Sequence, residues 1–348
     1  MKLFTLTCVA TLLTLPGAQQ SLRFSPPEGA ELRRAWSWEL SSKTDSVSTE
    51  LDGEPSPDVP NLSYTAKRLV EVGVTDKLEV VADGRPARFV RQFDDLVEEF
   101  SADLTLDLVG NEVQLSMAGD GTSPIEGLAV RFDWSDERQA WGATWADEDQ
   151  AGPAALLDGL DADMDLLGLL PAGAVEVGSR WEVELGALAR VLFPGGELGI
   201  ALETDLDQLQ GALDPADLPT LADVMKAGEL EGEASCTLAA LEGELARVEV
   251  VVELRAAASF VERIDALAQG AVPGDVSTDV DSAEFAVELT GKGTLTFGLT
   301  TGHVQAFEFD GDTVETSEIS VTIKQSIEEH AEQRHARSGT LRVRGVIE

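Results

Sequence analysis

Cysteine is nearly absent from this chain. Only Cys8 and Cys236 occur in 348 residues. Cys8 lies in an N-terminal apolar run, so Cys236 stands alone and the fold must be held by its core rather than by disulfides. Cys236 sits in EASCTLAAL, where apolar residues alternate around it, the setting of a small buried hydrophobe. A nucleophilic cysteine would want a histidine partner, and His303, His330 and His335 are the whole supply. Cations are scarce too: 25 Lys and Arg stand against 64 Asp and Glu, a formal net charge of −39. Such a chain is repelled by nucleic acid, whose binding depends on basic residues displacing phosphate counterions, and anionic membrane surfaces are disfavoured for the same reason. Beyond the N-terminal run no segment approaches eighteen uninterrupted apolar residues, so a transmembrane helix is not expected and the mature chain should be soluble. H-E-x-x-H, G-x-S-x-G, P-loop and CxxC signatures are all missing, and no catalytic residue or cofactor is assigned.

What is present begins with MKLFTLTCVATLLTLPGA, one cation followed by an apolar run and small residues. This is the layout of a secretory signal peptide over residues 1–18, which implies export to a periplasm or the exterior. Alternation at a period of two then predicts antiparallel strands over 19–150. Leu32, Trp36, Trp38 and Leu40 share one face, Asp83-Gly84 reverses the chain, and Ala102 to Leu108 pairs with Val113 to Met117 across Gly110-Asn111. Five of the six tryptophans lie in this half, on presumed strand faces, as sheet core or as the lining of a groove.

From residue 151 to 227 the period changes. Leu156, Leu157, Leu160, Met164, Leu167 and Leu170 recur at three- and four-residue spacings, predicting a helix from Ala154 to Leu170 that Pro171 ends. Asp158, Asp161 and Asp165 would fall on its solvated face. The Asp161, Asp163, Asp165 run resembles the start of a calcium loop, yet Leu166 replaces the turn glycine and Ala172 the bidentate glutamate, so no metal site is expected. Trp181, with Val183 and Leu185, forms a short strand expected to plug the core edge, so that Trp181→Ala would cost about 3–5 kcal/mol. Two short helices follow, one on Leu202 to Leu213 and one on Leu218 to Met225. Strands return over 228–348 as a long β-meander: Val248 to Leu254, Phe285 to Leu299 with a bend at Gly291 and Gly293, Val304 to Phe309, Ile319 to Ile323, and a closing piece at Leu341 to Val346. The polar stretch IEEHAEQRHARSG reads as helix or loop, in which His330 and His335 point about 140° apart and form no metal clamp.

The expected fold class is therefore α+β: two curved antiparallel sheet halves joined by a helical segment that packs on them. LLPAGAVEVGSRWEV, VTDKLEVVADGRPARFVRQFDDL and GKGTLTFGLTTGHVQAFEFDGD together resemble a family of uncharacterised exported bacterial proteins with a V-x-V-G-[DS]-x-W signature and a late G-x-G-x-x-x-F-x-L-x-T-G-x-[VL] strand pair. The resemblance implies a curved antiparallel sheet in each half and transfers no catalytic residue. Three functions stay open. A non-enzymatic envelope protein would hold an apolar small molecule, or a protein partner, between sheet and helices, at Leu156, Leu160, Met164, Leu167 and Trp181, with Gly152 and Gly173 as hinges. An interaction protein would have a filled core. A carboxylate-dependent hydrolase would bury two acids together with raised pKa values.

Overall fold

A computed structural model describes residues 19–56, 61–108, 111–147, 149, 151–204, 219–271, 277–324 and 328–348. The expected signal segment, 1–18, and the expected helix over Leu202 to Leu213, from residue 205 onward, lie outside the described residues. Strand β1 (Glu31–Leu51) turns into the two-residue β2 (Glu54–Pro55), and β3 (Asn61–Ala82), β4 (Arg85–Leu108) and β5 (Asn111–Thr122) follow as long antiparallel neighbours. The hairpin β6 (Ala129–Ser135) and β7 (Ala140–Trp145) comes next, then β8 (Arg180–Glu182), helix α1 (Leu185–Leu192), β9 (Ala201–Thr204) and helix α2 (Leu221–Ala227). The chain closes with β10 (Glu229–Glu242), β11 (Leu245–Ser259), helix α3 (Val261–Ala271), β12 (Ser277–Gly298), β13 (His303–Lys324) and β14 (Glu328–Ile347).

These strands form one antiparallel sheet of 14, in the order β7-β6-β4-β3-β1-β14-β13-β12-β11-β10-β8, with β2 on β1 and β9 on β5. The expectation of two sheet halves joined by a helical segment is thereby corrected. β1 pairs with β14 from Arg34–Ile347 to Leu51–Ala331, so the first and the last long strands lie side by side in the middle of a single β sheet, and the fold is mainly β rather than α+β. The polar IEEHAEQRHARSG stretch supplies much of β14. Its backbone is paired on both sides, by β1 and β13, and that pairing overrides a composition that favours neither strand nor core.

Alternation along the strands sorts the two faces. β11 buries Ala246, Val248, Val250, Val252 and Leu254 while exposing Arg247, Glu249, Glu253 and Arg255. The Asp83-Gly84 turn has both residues at positive φ (51° and 78°), the left-handed pair a two-residue hairpin needs. The sheet curls around its apolar face. Helix α1 buries Ala187, Leu188, Val191 and Leu192, and the adjoining Phe193 meets Trp38 of β1 edge-on at 5.5 Å. An extended segment crosses one end of the sheet: Gln20 bonds Val175, Ser25 donates to Gly302, and Gly29 donates to Leu78, with Leu22 and Phe24 buried on the way.

β3, β12 and β13 are 22 residues each, roughly 70 Å of strand. The core fills only part of that length. On β13 the inward residues Phe307, Phe309 and Thr313 are almost fully buried, whereas Glu315, Ser317, Ile319 and Val321 further along the same face are half-buried. β14 repeats the change from Val343 and Leu341 to Arg337, His335 and Gln333. The far half of the sheet is therefore a trough whose inward side chains keep partial access to solvent.

Candidate functional site

Residues 154–170 cross the concave side. The expected continuous helix there is replaced by two short 3-10 turns, Ala154–Leu157 and Leu167–Leu169, with an aspartate-rich loop between them. The aspartates themselves break the helix by binding their own backbone. Asp161 Oδ1 accepts from the Asp163 N–H at 2.9 Å, and Asp163 Oδ1 accepts from Asp165 at 3.1 Å and Leu167 at 3.2 Å. Leu166 takes a left-handed φ of 54°.

Two arginines on the inward sheet face then fix this loop. Arg91 grips Asp76 with two bonds of 2.8 Å and donates to the carbonyls of Asp161 and Ala162 at 2.8 and 3.0 Å. Arg34 reaches Asp76 Oδ2 at 2.8 Å and Asp165 Oδ1 at 2.6 Å. All four side chains are 0–1% exposed, so two cations and two anions are buried as a neutral set. Burial works against the Arg34 charge, yet Asp165 and Asp76 hold its pKa above the ordinary value. Burial also raises Asp161, and it drives Asp163, flanked by the like charges of Asp161 and Asp165, up to about 7. Asp165 is thus a core residue and not part of a solvated face. Among the described residues no group of three His, Cys, Asp or Glu is placed to hold a metal.

Above this loop lies an open cleft of about 1150 Å³, walled by Leu22, Phe24, Trp141, Leu160, Leu167 and Phe193 and edged by Arg23, Arg85, Arg190 and Lys226. Trp134 and Trp141 pack edge-on at 4.7 Å, with the Arg85 guanidinium 4.0 Å over Trp134. The tryptophans therefore divide: Trp36 and Trp38 are core, while Trp134 and Trp141 line the cleft.

The five expected ligand residues separate in the same way. Leu160 and Leu167 line the cleft, Met164 is fully buried beneath it, and Leu156 and Trp181 are half-buried. Trp181, on the edge strand β8, donates its indole N–H to the Leu169 carbonyl at 2.9 Å and clips the second 3-10 turn. Beneath residues 156–170 the space is filled by Met164, Leu166, Leu169 and the buried ion set, not by an apolar cavity. Cys236 is fully buried and unpaired, and burial pushes its thiol to about 12, far from a nucleophile's range.

The trough carries the groups that sequence reading passed over. The pair of Arg68 and Glu98, bonded at 2.6 and 3.0 Å, lies beside Trp38, 5.2 Å from the guanidinium, and marks the boundary between filled core and trough. Beyond it, Arg337 of β14 sits opposite Glu315 of β13 in register and 5.6 Å over the ring of Tyr64 on β3. Burial raises both Tyr64 and Glu315, and it lowers His335. The signal was available: Arg337 has the same strand parity as Leu341 and Val343.

No family model matches the chain, and no curated protein matches it. Among solved structures it is similar to an outer membrane channel from Pseudomonas putida F1, at 10% identity over 93% of this chain and 98% of that one, with a TM-score of 0.22. It is also similar to OccK7 (OpdD) of Pseudomonas aeruginosa, at 6% identity over 91% and 98%, with a TM-score of 0.15. Likenesses this low carry neither fold nor function across.

Proposed function

We propose that this chain is an exported, non-enzymatic envelope protein that holds an apolar or amphiphilic small molecule in the trough on the concave side of its sheet. One observation carries the reading: the same inward faces that are fully buried in one half of the sheet stay half-buried in the other, where Leu104, Leu115, Met117, Ile319 and Val321 point inward. A guest that covers those side chains would gain roughly 25 cal/mol per Å² of apolar surface removed from water. The outward side of β11 supports the assignment, because Arg247, Glu249, Glu253 and Arg255 around the exposed Val251 suit water and not lipid, where a membrane-spanning barrel presents an apolar band. The resemblance to exported bacterial proteins and the N-terminal signal pattern support the export part of this reading. Mass spectrometry of organic extracts from protein purified out of its native host tests the reading. Near-stoichiometric recovery of one apolar species is the expected result, and an empty protein that also fails to take up a fluorescent fatty acid overturns it.

The cleft favours a second reading, hydrolysis by carboxylates, because Asp161 and Asp163 are held together there with raised pKa values. Both carboxylates already cap backbone N–H groups, which accounts for their positions without catalysis. Turnover of a chromogenic ester or glycoside that disappears in Asp163→Asn would move this reading ahead.

A further inference from the structure

The wall of the trough holds polar groups that the fold does not use. Arg337 is a guanidinium with five N–H donors, its side chain 30% exposed, and among the described residues the carboxylate it pairs with is Glu315 at 3.9 Å, too long for a hydrogen bond. Glu315 Oε1 is buried with no hydrogen-bond partner among the described residues, and so is the hydroxyl of Thr313, one inward position away on the same strand. Buried polar atoms without partners are uncommon in folded proteins and mark places where something else supplies the bond. These groups meet an apolar wall at the same level of the sheet. Tyr64, under the Arg337 guanidinium, pairs in register with Leu104, and Leu104 with Leu115; one step toward the core Ala66, Ala102 and Met117 repeat the pattern.

We propose that Arg337, with Tyr64 and Glu315 beside it, receives the carboxylate head of a single-chain amphiphile whose tail lies along Leu104, Leu115 and Met117. The inference rests on the trough reading given above and adds the ligand's class. Charge decides the head group. The Arg337 guanidinium keeps donors that Glu315, at 3.9 Å, does not take, and beside that carboxyl a monoanion meets less like charge than a phosphate dianion does. Size agrees with this: β14, β1, β3, β4 and β5 are consecutive neighbours, and four strand spacings give about 19 Å along the sheet from Arg337 to Leu115, the reach of a long-chain fatty acid.

The test titrates the full-length protein with a fluorescent long-chain fatty acid and with its methyl ester. Arg337→Met is expected to weaken the acid about tenfold or more while leaving the ester unchanged, and Arg337→Lys to recover part of the loss. Thermal melts of both variants establish that they fold. Leu115→Trp, which fills the tail path, should weaken acid and ester alike. If the wild-type protein binds both probes and Arg337→Met changes neither or both equally, the head-group assignment falls while the trough reading stands. If the wild-type protein binds neither probe, the trough reading itself falls. Displacement of the acid by a lysophospholipid at lower concentration than by palmitate overturns the carboxylate in favour of a phosphate head.

Discussion

Arg91 shows how much of this fold depends on single buried charges. Its guanidinium has Asp76 on one side, two loop carbonyls on another and the faces of Phe89 and Phe132 each 5.3 Å away, all out of water. Arg91→Leu leaves the Asp76 carboxylate short of a partner in the core and frees the 161–162 backbone, so a loss of about 3–5 kcal/mol in denaturant unfolding is expected. A loss near zero would mean that the four-charge set is not what anchors the loop. Asp163 gives a prediction of opposite character. Its folded pKa of about 7 lies above the ordinary 3.8, so between those values the folded protein keeps a proton that the unfolded chain has released. Stability must then fall as pH rises through that window, by at most about 1.4 kcal/mol per pH unit, and level off above it. Asp163→Asn carries no such proton and should flatten that part of the profile, which urea titrations from pH 4 to 8 would show.

At the scale of elements, the edge strand β8 and the 3-10 turn at Leu167–Leu169 stand or fall together through Trp181. The side chain is half-buried, so Trp181→Ala should cost about 2–3 kcal/mol, less than the 3–5 expected for a fully buried aromatic. Trp181→Phe, which deletes the bond to the Leu169 carbonyl and keeps most of the packing, should cost about 1 kcal/mol. Equal losses for the two variants would show that packing contributes nothing. β14 makes the complementary case. Its composition is polar, yet it is paired along both edges in the middle of the sheet, so backbone amides from Arg337 to Val346 should rank among the slowest to exchange with deuterium. Rapid exchange there would contradict the pairing of β1 with β14.

For the whole molecule, a net charge of −39 dominates the response to solvent. Acidic side chains are spread over the convex face, and their mutual repulsion opposes the compact state. Raising NaCl from about 0.05 to about 1 M shortens the screening length from more than 10 Å to about 3 Å, so the thermal midpoint should rise across that range. A midpoint that falls or stays constant would indicate that paired charges, such as Arg344 with Asp310, outweigh the repulsion.

The sequence by itself determined the strand carrying Leu32 to Leu40, the Asp83-Gly84 reversal, the burial of Cys236 and the helix over Leu221–Ala227, because each follows from local periodicity or turn chemistry. Even the buried charges were legible in principle, since Arg34 has the strand parity of Leu32 and Trp36, and Arg91 that of Phe89 and Phe93. Only the tertiary structure decided that residues 154–170 are not a helix. The leucine spacing was helical, but the carboxylates between the leucines found their own backbone and the two sheet arginines, partners that no local pattern announces. It likewise made one sheet out of two expected halves. Which strand lies beside which is settled by long-range pairing, and β1 against β14 joins residues some three hundred positions apart, a contact on which alternation within either strand is silent.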